Sequence, residues 1–483
     1  MKKFRMLAVL AALGTVPFTV SAAEAIPEVL RDAARKSVVN NPEVQARWHA
    51  FRAADSEQDV ARGGYFPQVD LTAGSERERL KEPGRSTDTY THSYAALSLN
   101  QMVFDGFFTR NEVARLGNEK LARYYDLVDA SESIVLEAVR AYADVLRYRE
   151  LVGFAKANYV EHRQIYDHIQ ERAQSGMGRR ADLEQAAGRL ALSESNLLVE
   201  VTNLHDVSAR YQRIVGEVPG EGLPVLGDHF QFDGIPSSSV DVLQEAFSTN
   251  PALNASLASV RANQFAVEAQ RAANLPRVDL RASQAVDRNL SGVDGTQRET
   301  SVGVVLSYNL FRGGSDQARI QRSAELLNYA KDVREKTCRD LRQTVSIAYN
   351  DALRLEEQRR YLKQHEVSTE KTREAYRKQF DIGQRQLLDL LDTENEYFQA
   401  RRAYVNANYD RIVAQARTLA GIGRLMPAMQ VARENMPTVS ELGVERSAED
   451  VSMVCPPESP DPLVIDKKAL LEETLRAAGV APK

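Results

Sequence analysis

Apolar and polar residues follow two different periods along this chain. Residues 43 to 63 are rich in Ala, Arg, Glu and Gln and hold no Gly or Pro before Gly63, which predicts a helix. The stretch "YFPQVDLTAGS" then alternates, with Val69, Leu71 and Ala73 on one face and Gln68, Asp70 and Thr72 on the other. A second alternating run, "YAALSLNQMVF", places Leu97, Leu99 and Val103 together. Period two over such lengths predicts strands, and the polar segment around Pro83 and Gly84 joins them as a hairpin. From Phe107 to Gln174 no proline occurs. As a helix, that stretch is about 100 Å long at ~1.5 Å per residue. Gly176 and Gly178 break it, and helical composition resumes from Arg180 to about Ile214.

The same plan then recurs. Residues 41 to 73 align without a gap to residues 250 to 282, sharing Asn-Pro, an Arg-Ala pair, a later proline and "VDL" at an offset of 209. Further on the offset settles at 207, for "VFDG" and "LFRG", "AYADVLR" and "AYNDALR", Gly176 and Gly383, Asp182 and Asp389. Register held through glycines, prolines and loops marks a duplication. The second copy predicts a hairpin from "PRVDLRASQAV" and "TSVGVVLSYNLF", a long helix from Ser315 to Phe380, a break at Gly383 and a helix from Gln386 to about Ala420. The organisation read is residues 1–23 as a leader, 24–225 as repeat 1 (hairpin ~66–104, tip ~175–178), 238–427 as repeat 2 (hairpin ~275–311, tip ~382–385) and 428–483 as a tail.

The leader has a basic start, an apolar run and a small-residue cleavage site at Ser21-Ala22-Ala23, which predicts export. No later stretch offers 18 apolar residues in a row. Charge is nearly balanced, 62 Lys+Arg against 67 Asp+Glu, so nucleic acid is not an expected partner. The seven histidines are scattered, and no nucleotide loop, nucleophile elbow or zinc motif is present, so neither enzyme activity, cofactor nor metal is expected. Cys338 and Cys455 have no metal spacing; whether they pair stays open.

Two hairpins give four strands with open edges, which are unstable alone. One reading closes them into a membrane barrel with strands from several copies; the other is a soluble sheet capping a helical rod. If the hairpins cross a membrane, both chain ends and all long helices lie on one side of it, the tail included. A structural coiled-coil protein is the reading without transport.

The duplicated plan, the Asn-Pro helix starts, "FPQVDL" and "LPRVDL", and above all "GQRQLLDLLD" resemble the TolC family of outer-membrane efflux proteins over the mature chain to about residue 427. The resemblance implies a mainly α fold with membrane β. Three chains would build a twelve-stranded barrel in outer-membrane lipid, four strands each, continued by a long periplasmic helical tunnel. It also implies a passive duct docked on a periplasmic adaptor and an inner-membrane transporter. The branch that the segment from Gly383 onward looks most like is type I secretion, with an ABC transporter and a large adhesin as cargo. A tripartite drug-efflux role with a proton-driven pump is the alternative.

The resemblance also implies site residues. Arg385, Asp389, Asp392 and Glu396 fall within about 60° of one helix face. By the family's motif, Asp389 and Asp392 form a carboxylate ring at the tunnel's narrowest point, which draws cations. Arg385 would tie to Asp182 as a gate lock. The alternative is that Arg385 pairs with Asp389 on its own helix. The family often has a tyrosine three residues before the second glycine; Phe380 stands there. Gly176 and Gly383 are expected as tip turns where an adaptor docks.

Overall fold

A computed structural model of the chain describes residues 26–81, 83, 84, 86–443, 455–458, 460 and 465–477. The leader read at residues 1–23 lies outside them. Each repeat opens with two helices that meet at an Asn-Pro step: α1 (Glu28–Asn40) and α2 (Pro42–Arg62), then α5 (Ser239–Thr249) and α6 (Pro251–Arg271). The asparagine caps the second helix of each pair. Asn41 accepts the Glu43 N–H at 2.9 Å, and Asn250 accepts that of Leu253 at 3.0 Å. Proline follows at the first helical position, where a missing N–H leaves no bond unmade.

The strands are β1 (Gln68–Leu80), β2 (Asp88–Phe104), β3 (Arg277–Arg288) and β4 (Thr296–Ser307). They form one antiparallel sheet in the order β1-β2-β3-β4. The register sets Leu71 opposite Leu97, Leu280 opposite Val304 and Ala282 opposite Val302. Those side chains share a face that is bare in the single chain, with Leu71 74% and Val302 73% exposed. Tyr65, Phe66, Phe107, Phe108, Tyr308 and Phe311 stand exposed where the strands meet the helices. An apolar band bordered by aromatic rings is the outward face of a membrane barrel. The opposite face is polar. His92 reaches Glu78 of β1 (3.2 Å) and Asp287 of β3 (2.9 Å), linking the two hairpins. Tyr94 lies over Gly74, where a Cβ would come within 2.6 Å of its ring.

The long helices are α3 (Phe108–Gln174) and α7 (Ser315–Asp381), 67 residues each and therefore about 100 Å long. They run the length of the body. Near the sheet, α2 and α6 pack beside them; further away α4 (Arg180–Val215) and α8 (Leu387–Gly421) take over, in the lateral order α4, α3, α8, α7. The result is a helical curtain with α4 on one edge and α7 on the other. Among the described residues no helix is long and apolar enough to cross a membrane.

The main core sits where the two helix sets exchange, around Leu30, Leu127, Tyr142, Phe230, Tyr409 and Ile412. The segment between the repeats wraps this level through carbonyl groups. Tyr142 donates to the Pro224 carbonyl, Arg411 to that of Phe230 and Tyr349 to that of Ser237, each at 2.7 Å. A short helix, α9 (Leu425–Ala428), follows α8, and its first N–H groups are accepted by the buried Glu132 of α3 at 3.1 and 3.2 Å. Cys338 of α7 and Cys455 of the tail form a disulfide with a Cα–Cα distance of 5.8 Å, which resolves the pairing that the sequence left open. The tail contains a further helix, α10 (Lys467–Ala477).

Burial pushes Glu132 up to about 8 against its two N–H donors. Between its ordinary value and 8, the folded chain holds a proton that the unfolded chain has released. This group therefore takes away stability as pH rises through that window. A Glu132→Gln variant lacks that slope, although its single acceptor oxygen serves the two N–H groups less well. Thermal unfolding in detergent should show the variant gaining on the parent steadily from pH 5 to pH 8. A constant difference across that range would mean that Glu132 is ionised in the fold.

Candidate gate at the tips of the helical hairpins

The two hairpin tips are built alike. α3 ends in a turn where Gly176 (φ +76°) donates to the Ala173 carbonyl at 3.2 Å and Met177 to that of Arg172 at 3.0 Å. α7 ends in the same turn: Gly383 (φ +75°) donates to Phe380 at 2.9 Å and Gln384 to Gln379 at 2.8 Å. The paired bonds satisfy the last carbonyls of each helix. They need a residue with positive φ, which glycine adopts without a Cβ penalty. Met177 and Ile382 are exposed at these turns.

The leucines past Gly383 pack inward. Leu387, Leu390 and Leu391 share a core with Ile165 and Ile169 of α3, Ala186 of α4 and Phe380 of α7. Phe380 is buried there against the His168 ring, so it packs where a tyrosine hydroxyl would need a partner. Glu394 is buried on the same helix 3.5 Å from Arg373. Desolvation raises its pKa, and Arg373 opposes the rise.

Each of the site residues expected from sequence has a definite place. Asp389 closes a capping box with Gln386: each side chain accepts the other's backbone N–H, that of Gln386 at 3.4 Å. Asp392 is half exposed and accepts from Arg189 of α4 at 2.5 Å. Arg385 donates to Gln379 at 3.0 Å, stacks 4.1 Å over the Tyr376 ring and lies 3.6 Å from Asp389. Asp182 sits in the first turn of α4, its backbone N–H bonded to the Arg179 carbonyl. Among the described residues of one chain, Arg385 and Asp182 form no ion pair. Arg385, in the turn just before α8, lies near Asp389 in the first turn of that helix.

Sequence reasoning missed Arg189, Gln379 and Tyr376. Gln379 and Tyr376 precede the turn and meet Arg385 only because the chain reverses at Gly383. Arg189 and Asp392 belong to different repeats, 203 positions apart, and no periodicity connects them. The tip therefore carries two half-exposed carboxylates held in place by local caps and by one bond across the protomer. Each carboxylate has a cationic neighbour within the chain, Arg385 for Asp389 and Arg189 for Asp392.

Comparison with known proteins agrees with this architecture. The family described as outer membrane efflux protein matches residues 33–217 and 242–424, once per repeat. The outer membrane efflux protein BepC of Brucella suis is 27% identical over 405 residues, covering 83% of this chain and 86% of BepC. The alkaline protease secretion protein AprF of Pseudomonas aeruginosa is 26% identical over 413 residues, covering 80% and 83%. TolC of Escherichia coli is 24% identical over 437 residues, covering 87% of each. Among solved structures, the CmeC outer membrane channel of Campylobacter jejuni superposes with a TM-score of 0.75 at 17% identity, covering 88% of this chain and 94% of CmeC. A duplicated helical hairpin, a four-stranded sheet that is apolar on one face and a match in both repeats make this chain a member of the TolC family of outer membrane efflux proteins.

Proposed function

We propose that three copies of this chain form a passive channel-tunnel through the outer membrane, the exit duct of a type I secretion system. TolC-family channels are homotrimers that work with adaptors and inner-membrane transporters, and they are not enzymes. The observation that carries the reading here is continuity. A sheet with an exposed apolar face and two unpaired edges passes directly into helices about 100 Å long, which end at a charged tip. Twelve strands close the edges in lipid. The tips, with turns at Gly176 and Gly383, meet a periplasmic adaptor and an inner-membrane ABC transporter that supplies the energy. The cargo class is a secreted protein, a large adhesin being the one that overall likeness favours.

Secretion relatives support this branch: AprF, and the proteases secretion protein PrtF of Dickeya chrysanthemi. The second reading, the outer component of a tripartite small-molecule pump, draws on relatives such as the pyoverdine export protein OpmQ of Pseudomonas aeruginosa. A deletion strain compared with its parent separates the two. Loss of one or a few large secreted proteins with unchanged drug sensitivity supports secretion. Broad drug sensitivity with an intact secretome supports efflux.

In the assembled duct, Asp389 and Asp392 line the constriction. Arg385 restrains it, in its own chain through Gln379, Tyr376 and Asp389 and, as we propose, across the seam through Asp182 of the next copy. In planar bilayers the D389N/D392N variant should lose most of its cation preference, because asparagine keeps the cap but not the charge. Unchanged selectivity would remove these carboxylates from the pore. Arg385→Ser should conduct more than the parent, and equal conductance would rule out the restraint.

A further inference from the structure

The tail beyond residue 428 has no counterpart in the repeats, yet the structure anchors it at two points on α7. The first is the Cys338–Cys455 disulfide. The second is Lys467, the first residue of α10. Its Nζ lies 2.6 Å from the Tyr361 hydroxyl, 3.4 Å from Glu357 and 3.9 Å from the centre of the Tyr361 ring. Along α7, Tyr361 lies about 35 Å beyond Cys338 towards the tips.

The second anchor lies on a particular side of α7. The side facing α8 is marked by Lys363 over the Tyr404 ring, Glu370 accepting from Tyr397 and Arg373 beside Glu394. At 3.6 residues per turn, Glu357 and Tyr361 point about 180° away from that stripe. α7 is an edge of the helical curtain, so Glu357 and Tyr361 face outward from the protomer, along the seam where the next copy must lie.

Past Lys467, α10 is largely exposed in the single chain. None of its residues is buried, and Leu470 and Leu471 are 56% and 58% exposed. The helix is about 16 Å long, enough to cross one neighbouring helix, whose axis would lie about 8–10 Å away. The opposite edge of the curtain is α4, which carries exposed Leu198, Val199 and Val201. Cross-links within the chain give the height. Lys363 meets Tyr404, and Arg402 of α8 meets Glu200 of α4 at 2.5 Å. Tyr361 is therefore within about two helical turns of Leu198 and Val201 in height. Cyclic symmetry keeps that height from one copy to the next.

We infer that α10 is a clip between subunits: it leaves α7 at Tyr361, crosses the seam and seats Leu470 and Leu471 on the Leu198–Val201 patch of a second copy's α4. This rests on the proposed closed ring of copies. The disulfide holds the strap on its own subunit while the helix covers the neighbour.

The test uses the full-length protein in detergent with Cys338 and Cys455 kept. A Leu198→Cys/Leu471→Cys variant treated with a short bismaleimide should give covalent two-chain and three-chain species on a denaturing gel. Either single substitution alone should give none. Single chains only, from a preparation whose native mass is a trimer, would overturn the clip and leave the duct reading intact. A cross-link to a different polypeptide would overturn it equally, in favour of a partner as occupant. A wild-type protein that is not a ring of copies would overturn both. Independently, Leu470→Asp/Leu471→Asp should lower the temperature at which the trimer dissociates in SDS by several degrees, and reduction of the disulfide should do the same to the parent. An unmoved dissociation temperature in both would count against the clip.

Discussion

Unpaired strand edges govern this molecule. Among the described residues, β1 and β4 each have a hydrogen-bonding partner on one side only, and the sheet they bound is apolar on the face that closure would turn outward. In lipid an unmet backbone N–H or carbonyl costs several kcal/mol, so an open four-stranded sheet is not a stable end point there. Closure with other copies is the solution that leaves no edge. The helical curtain has the same incompleteness. α4 and α7 end it with exposed apolar residues, and both edges lie on the sides where neighbouring copies would meet.

The tips show how one set of residues serves structure and passage together. Glycines at positive φ reverse the chain, leucines seal the hairpins to each other, and the carboxylates between them stay at the surface because caps and cross-helix bonds hold them there. Asp389 is fixed by the start of its own helix. Asp392 is fixed by α4 of the other repeat. Their positions are thus set by two independent constraints, one local and one tertiary.

The duplicated plan was legible because its signals are local. Asn-Pro steps, alternating strands, proline-free stretches and glycine breaks each act within a few residues, and their repetition at a constant offset placed the long helices within a residue or two of their ends. Chain-reversal contacts were less legible. Arg385 meets Gln379 and Tyr376 across the turn, a geometry that helical periodicity does not describe. Contacts between distant parts of the chain were not legible: the Arg189–Asp392 pair, the Glu132 cap on α9 and the Cys338–Cys455 bond join residues that share no period.

By itself the sequence determined the repeat, the two kinds of period, the turn positions and the family. These depend on backbone preferences and side-chain alternation, which act between near neighbours. Only the tertiary structure decided which partner each charged tip residue takes, whether the cysteines join and on which edge of the curtain the tail lies. Those outcomes depend on which surfaces meet when helices about 100 Å long pack side by side, and residues far apart in the chain carry no local mark of that meeting.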